Sequence, residues 1–292
     1  MNHLDEFNQQ RPLLFSIAYR MLGSVMDAED MLQEAFLRWN SVDGQEIQSP
    51  KAYLSTLVTR LCLDQLKSAR ARREVYVGPW LPEPLVGDAA LDVTDKAEML
   101  DSVSTAFMLL LENLSPLERA VFLLREVFDY DYAEIAQIVD KSEANCRQMV
   151  RRARQHLQER RPRFNASTEQ QERLTARFIQ ATASGDIQGL VSLLTDDIVL
   201  YSDGGGKVHA ARNPIYGNDK VARFIVGVAR KAPPGFTARL LPSADGQLSM
   251  VGYAEGKAFI VINYELDESG RIKTIYMVVN PDKFQGVPDL KD

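Results

Sequence analysis

The apolar pattern of this chain changes period once, near residue 165, and that change constrains the fold more than any other feature. Before it, apolar residues recur every three or four positions. Phe15, Ala18, Tyr19 and Leu22 share one face, and Leu54, Leu57, Val58 and Leu61 share another. Such spacing predicts amphipathic helices. After it, strand-like runs dominate at 198–202, 236–241, 248–253, 258–265 and 272–279, with turn signals such as Asp245-Gly246 and Ser269-Gly270 between them. Two helices, about 168–184 and 186–195, precede these strands, and one more is expected near 217–231. The reading is two all-α domains followed by an α+β domain in which helices cover a mostly antiparallel sheet. A length of 292 residues suits that number of units.

The first unit spans 1–73. Gly23 ends its first helix, and the acidic run Asp27-Ala28-Glu29-Asp30 opens the next, where negative charge favours the helix dipole. A polar loop covers 41–49, and Pro50 suits the first turn of a long helix reaching about Arg70. Residues 74–97 read as a linker, although the apolar Trp80-Leu81-Pro82-Glu83-Pro84 is unlike a flexible tether. A second helical unit spans 98–164, closed by Pro162, and the third spans 165–292.

Within 115–157 the caps and periods combine into a helix-turn-helix. Ser115-Pro116 starts one helix, Asp131 caps a short one to Val139, and Ser142 caps a third after a three-residue turn. On a helical wheel Cys146, Val150, Ala153 and Leu157 fall inward, while Arg147, Gln148, Arg151, Arg152 and Gln155 point the other way. Arg and Gln on the first turns of such a helix suit base edges in the major groove. An ordinary three-helix bundle with a wet basic face is the competing reading.

Charge supports the first of these locally. The chain carries a net −6, yet residues 60–73 hold five bases and one acid, and residues 141–163 hold eight bases and two acids. Two basic stripes on an acidic protein suit two phosphate contacts and leave an acidic remainder for a protein partner. The first stripe gathers Thr56, Arg60, Lys67 and Arg70 on one helix face, with Leu63 intruding; solvated helix faces are again the alternative. Cys62 and Cys146 read as buried thiols without a ligand cluster, and no metal or cofactor is expected. No apolar run reaches about 18 residues, so neither a membrane span nor a signal peptide is expected, and a cytoplasmic location is the expectation. His3 and His156 read as surface positions without partners.

These motifs together resemble a known family. The run Asp27-Ala28-Glu29-Asp30-x-x-Gln33-Glu34-Ala35-Phe36, then Ala52-Tyr53-Leu54 and Leu63-Asp64-x-Leu66-Lys67, is similar to region two of extracytoplasmic-function sigma factors. Tyr132-Ala133-Glu134-Ile135-Ala136 and Arg152-Ala153-Arg154 are similar to their region four. Trp80-Leu81-Pro82-Glu83-Pro84, Asp203-Gly204-Gly205-Gly206-Lys207-Val208 and Asn280-Pro281-Asp282-Lys283 resemble the subgroup with a fused C-terminal SnoaL-like cone domain. The resemblance implies a promoter-specificity subunit. Asp30, Gln33 and Glu34 would meet core RNA polymerase. Thr56, Arg60, Lys67 and Arg70 would hold the melted −10 element of promoter DNA, and Asn145, Arg147, Gln148, Arg151 and Arg152 would read the −35 element as duplex. Two departures stand out: Asp129-Tyr130-Asp131-Tyr132 is acidic beside DNA, and Met149 takes a place often basic in the family.

The resemblance also implies regulation in cis by the third unit, in place of a separate anti-sigma protein. Trp80, Leu81 and Pro82 would lodge near the turn Asp203, Gly204, Gly205, Gly206, Lys207, or near the tail with Asn280, Asp282 and Lys283. The SnoaL-like fold hosts cyclases and isomerases elsewhere, and fold alone grants no activity. Asp203, His209 and Tyr201 are the one tempting catalytic group, but a turn role for the Asp-Gly run is simpler, and no catalytic residue is expected. A small-molecule ligand in this unit stays open. Two other functions stay open too: a ligand-sensing helix-turn-helix regulator that acts without polymerase, and a SnoaL-like enzyme with DNA-binding decoration.

Overall fold

The computed structural model describes residues 3–42, 47, 49–74, 76–87, 104–158 and 167–290, with the side chains of 68–74 and 158 outside that description. The chain divides into two compact units: 1–75 with 91–161, and 76–90 with 162–292.

The first unit is helical among its described residues. Helices α1 (His3–Leu22), α2 (Val25–Asn40) and α3 (Pro50–Glu74) form one bundle. Gly23 ends α1 with positive φ, and Ser24, rather than Asp27, caps α2 by accepting from the Asp27 amide at 3.0 Å. Asp27 therefore sits in the first turn, where its charge still favours the dipole. Leu14, Ala18, Met21, Ala28, Leu32, Trp39, Leu54 and Val58 are buried in the bundle. His3 is not partnerless: its carbonyl accepts from Trp39 Nε1 at 2.8 Å, and its ring lies 4.9 Å from the indole.

Four more helices lie among the described residues of this unit: α4 (Thr105–Leu111), α5 (Pro116–Glu126), α6 (Tyr132–Val139) and α7 (Glu143–Gln158). Two buried arginines stitch it together. Arg119 donates to the carbonyl of Met21 at 2.7 Å and to that of Leu111, and pairs with Glu112 at 2.8 Å. Arg20 is fully buried, donates to Ser16 and lies over the Phe128 ring; desolvation lowers its guanidinium to about 10. Cys62 and Cys146 are buried free thiols, both pushed up first by desolvation.

The second unit packs α8 (Thr168–Ser184), α9 (Ile187–Leu193) and α10 (Asn218–Ala229) on one face of a six-stranded sheet. Its strands are β1 (Leu194–Asp203), β2 (Ile215–Tyr216), β3 (Thr237–Pro242), β4 (Leu248–Ala254), β5 (Lys257–Leu266) and β6 (Ile272–Val278). The order is β2-β1-β6-β5-β4-β3, and the β1–β6 pair is parallel among antiparallel neighbours. This is the α+β sheet domain that the change of period predicts, with β2 as an unexpected edge strand.

Side-chain alternation gives the sheet two buried faces. Met250 and Ile262 face the helices, while Val251, Tyr253 and Val261 face away and are covered by Val86 and Val287. Val86 comes from the stretch expected to be linker. Residues 81–86 are all buried. Val86 bridges Ser243, the Gly87 amide donates to the Pro242 carbonyl at 2.8 Å, and the Leu85 carbonyl accepts from the Ala244 amide at 3.1 Å. The described part of the linker is therefore a structural piece of the second unit and not a tether.

Candidate nucleic-acid interface and linker clasp

The helix-turn-helix is built by its caps. Asp131 accepts from the Glu134 amide at 2.7 Å while Glu134 accepts from the Asp131 amide at 2.9 Å, a reciprocal pair that starts α6. Asp140 ends α6 in the left-handed region at φ 53°, and Ser142 accepts from the Asn145 amide to start α7. Ile135, Ile138, Cys146, Met149 and Val150 then close a core with Val121 and Leu124. Met149 is in that core, so at this position no basic side chain is lost from the outward face.

The outward face of α7 is exposed at Asn145, Arg147, Gln148, Arg151 and Arg152. Its arginines differ in how far they are committed. Arg147 pairs with Glu143 at 2.6 Å and stands 5.0 Å over the Tyr132 ring. Arg152 lies 3.6 Å from Glu118, and Arg154 grips Glu126 with two hydrogen bonds that raise its own proton affinity. Arg151 has no ion pair among the described residues. Asp129 is 93% exposed, 3.5 Å from Arg125, whereas Tyr130 is buried and donates to Ser55 Oγ at 2.7 Å.

The first basic stripe is not a uniform wet face. Arg60 donates to the carbonyls of Ile138 at 2.9 Å and Gln137 at 3.0 Å, which close the last turn of α6. Leu63 packs against the helix-turn-helix core, which explains its place between basic residues. Thr56 donates back to the Ala52 carbonyl at 2.7 Å, and Lys67 pairs with Asp64 at 2.8 Å, both largely exposed. The side chain of Arg70 and most of the 41–49 loop lie outside the described residues.

On α2, Asp30 and Gln33 are exposed, and Glu34 pairs with Arg38 at 2.7 Å. The structure adds two neighbours that the sequence reading missed. Met26 and Leu37 are 43% and 59% exposed, and positions 26, 30, 33 and 37 fall at intervals of four, three and four on one face. Two apolar side chains and one carboxylate therefore share an exposed face of α2.

The strongest electrostatic feature lies in the second unit. Asp203, fully buried at the end of β1, receives four donors. Oδ1 takes the Tyr76 hydroxyl at 2.6 Å and the Gly205 amide at 3.1 Å; Oδ2 takes the Leu81 amide at 2.8 Å and the Lys283 ammonium at 2.7 Å. Lys283, also buried, donates to the Leu81 carbonyl and sits 4.3 Å over the Trp80 ring. Asn280 donates to Tyr76 at 2.9 Å, and Lys207 pairs with Asp282 outside. Burial first, then the bond to Asp203, pushes the Tyr76 hydroxyl up.

The three glycines are required by this crowding. A Cβ at Gly204 would collide with Ala210 and the Val208 carbonyl; one at Gly205 would strike Asn280; Gly206 takes φ 74° against Val77. Trp80, Leu81, Asp203, Gly205, Asn280 and Lys283 thus meet in one clasp, with Pro82 buried beside it. Both oxygens of Asp203 are fully occupied, so it offers no lone pair to a substrate proton. Tyr201 stacks on Tyr276 instead, at 5.8 Å.

Comparison with known proteins matches these parts in order. The family profile for sigma-70 region 2 covers residues 7–72, and that for sigma-70 region 4 covers 104–157. The ECF RNA polymerase sigma factor SigJ of Mycobacterium tuberculosis is 38% identical over 98% of this chain and 94% of its own. SigG of the same organism is 35% identical over 64% of this chain and 57% of its own. The crystal structure of SigJ covers 99% of this chain and all of that one, at 34% identity and a TM-score of 0.76.

Proposed function

Because the chain belongs to the extracytoplasmic-function family of RNA polymerase sigma factors, we propose that it directs core polymerase to promoters whose two elements it contacts with separate helices, under control of its own C-terminal unit. The stripe Met26, Asp30, Gln33 and Leu37 would dock on the polymerase. Gln148 and Arg151, with Arg152 and Asn145 beside them, would read −35 base edges, and Arg147, committed to Glu143 and Tyr132, would steady that helix. Lys67 and Arg70 would follow the melted −10 strand, with Thr56 at the edge of that path. Such a protein works in the cytoplasm, where polymerase and promoters are.

The observation that carries the reading of control in cis is the Asp203–Lys283 clasp. It holds the backbone of Leu81 and the side chain of Tyr76, in the segment through which the chain passes between the two promoter-reading domains. Two weak DNA contacts reinforce each other only when the connection between them permits both. A buried charge pair that grips this connection is therefore placed to set promoter occupancy. Transcription in vitro with core polymerase and the full chain tests it. Asp203→Asn should change the yield from a cognate promoter while polymerase binding persists; an unchanged yield overturns control through the clasp.

A further inference from the structure

The second unit has a half-open cavity of about 950 Å³ between α8, α10 and the sheet. Its walls are overwhelmingly apolar, with Phe178, Phe224, Phe236 and Phe259 among them. Phe236 and Val208 on its rim are each 42% exposed. The polar groups on its wall are few: Thr182, whose Oγ1 is buried without a hydrogen-bond partner among the described residues, and the exposed His209 and Lys231. A volume at the upper end of the small-molecule range and apolar walls with few polar groups describe a ligand site. Gly227 on α10 lines the cavity at an exposed position, and a Cβ there would meet nothing within 4 Å, so a larger side chain has room at this place.

The same two short segments form the cavity wall and the clasp. Between 203 and 211, Asp203 holds the linker while taking the Gly205 amide, and Val208 to Ala211 line the cavity. Between 280 and 284, Asn280 and Lys283 hold the linker, and Pro281 and Phe284 line the cavity. We propose that this cavity binds an uncharged, mainly apolar molecule of fused-ring size, and that its occupancy tightens the clasp on residues 76–87. The wall carries no acidic residue to hold a cation, and its one lysine is exposed to water, where an ion pair counts for little. A ligand that packs on Val208, Pro281 and Phe284 favours the arrangement of these segments that also grips the linker, so by linkage it stabilises both. The coupling deepens the reading of control in cis and rests on it; the binding does not.

Nile red, uncharged and polycyclic, is the probe. The full chain should bind it saturably at one site, and Gly227→Phe, or Gly227→Leu as a smaller filling, should weaken that binding at least tenfold with helix content unchanged. Saturating probe should slow amide hydrogen exchange at Leu81 and Gly87 at least threefold in the parent and not in the filled variant. Absent or unsaturable binding, or binding indifferent to both fillings, overturns the site. Binding with unchanged or faster exchange at Leu81 overturns the coupling. If exchange slows as stated but transcription ignores Asp203→Asn, control in cis is lost while the site stands.

Discussion

The backbone amide of Leu81 donates to Asp203 Oδ2 at 2.8 Å across 122 residues of chain, and the same oxygen takes Lys283. This geometry makes Asp203 the centre of a fully satisfied buried network. Removing one member leaves an uncompensated charge, which costs about 3–5 kcal/mol. Asp203→Ala and Lys283→Met should each lower the unfolding free energy of the second unit by that order. The double variant should be less destabilised than the two losses added together, because no unpaired charge remains. Denaturant unfolding of the four proteins checks it, and strict additivity would mean that the pair does not act as one.

On α7 the prediction separates arginines by their existing partners. Arg151 is free of ion pairs among the described residues, so Arg151→Ala should remove the proposed DNA contact and little else. It should relax discrimination at one −35 position by about 1–3 kcal/mol, read as the affinity ratio between cognate and substituted duplexes. Arg154→Ala breaks two hydrogen bonds to Glu126 and should lower stability without changing base preference. Equal effects on specificity would place the recognition face elsewhere.

The sequence revealed what is local. Caps at Ser115, Asp131 and Ser142, and the four-three-four spacing of Cys146, Val150, Ala153 and Leu157, define the helix-turn-helix without reference to the rest of the chain. It was silent where partners are remote. The burial of Leu81 and Val86 depends on side chains more than a hundred positions later, and the role of Arg60 depends on the end of a helix 77 residues away. The strand Ile215–Tyr216 has two residues, too few to show alternation, and the helix Thr105–Leu111 is apolar nearly throughout, so neither carries a period. Met26 and Leu37 had a readable spacing, but spacing alone does not say which face a bundle leaves exposed.

That exposed face yields a test of polymerase docking. Leu37 buries little, so Leu37→Glu should leave the unfolding transition within about 0.5 kcal/mol of the parent. It should weaken binding to core polymerase by tenfold or more if Leu37 lies in a desolvated contact. Fluorescence anisotropy of a labelled chain titrated with core enzyme measures this, and an unchanged titration would remove the stripe from the interface.

Acid should act early on the start of the helix-turn-helix. Burial pushes the Glu118 carboxyl up, but hydrogen bonds from the hydroxyl and amide of Ser115, with Arg152 nearby, bring it below its ordinary value of 4.5. A carboxyl depressed in the folded state stabilises it above the unfolded value, and that stabilisation fades as pH falls through the folded one. Stability measured from pH 7 downward should therefore begin to drop near the ordinary carboxyl range. Ser115→Ala should cost about 1 kcal/mol at pH 7 and flatten the acid dependence. An acid profile identical to that of the parent would mean that Glu118 is not held by the cap.

Arg60 offers the last test, because its guanidinium now serves structure at a position assigned to the −10 element. Its two bonds satisfy carbonyls that a helix end leaves unpaired, and positive charge there opposes the negative pole of α6. Bonds from a charged donor are worth about 1.5–3 kcal/mol, and partial exposure favours the lower value. Arg60→Ala should therefore destabilise the first unit by that amount and speed amide exchange across 132–139. Arg60→Lys should recover only part, since an ammonium lacks the fork that reaches both carbonyls. Binding of a single-stranded −10 oligonucleotide distinguishes the two roles. If DNA takes Arg60 over, the oligonucleotide should also speed exchange at the end of α6 in the parent chain. Unchanged exchange on binding would leave Arg60 a structural residue and confine the strand contact to the remainder of that face.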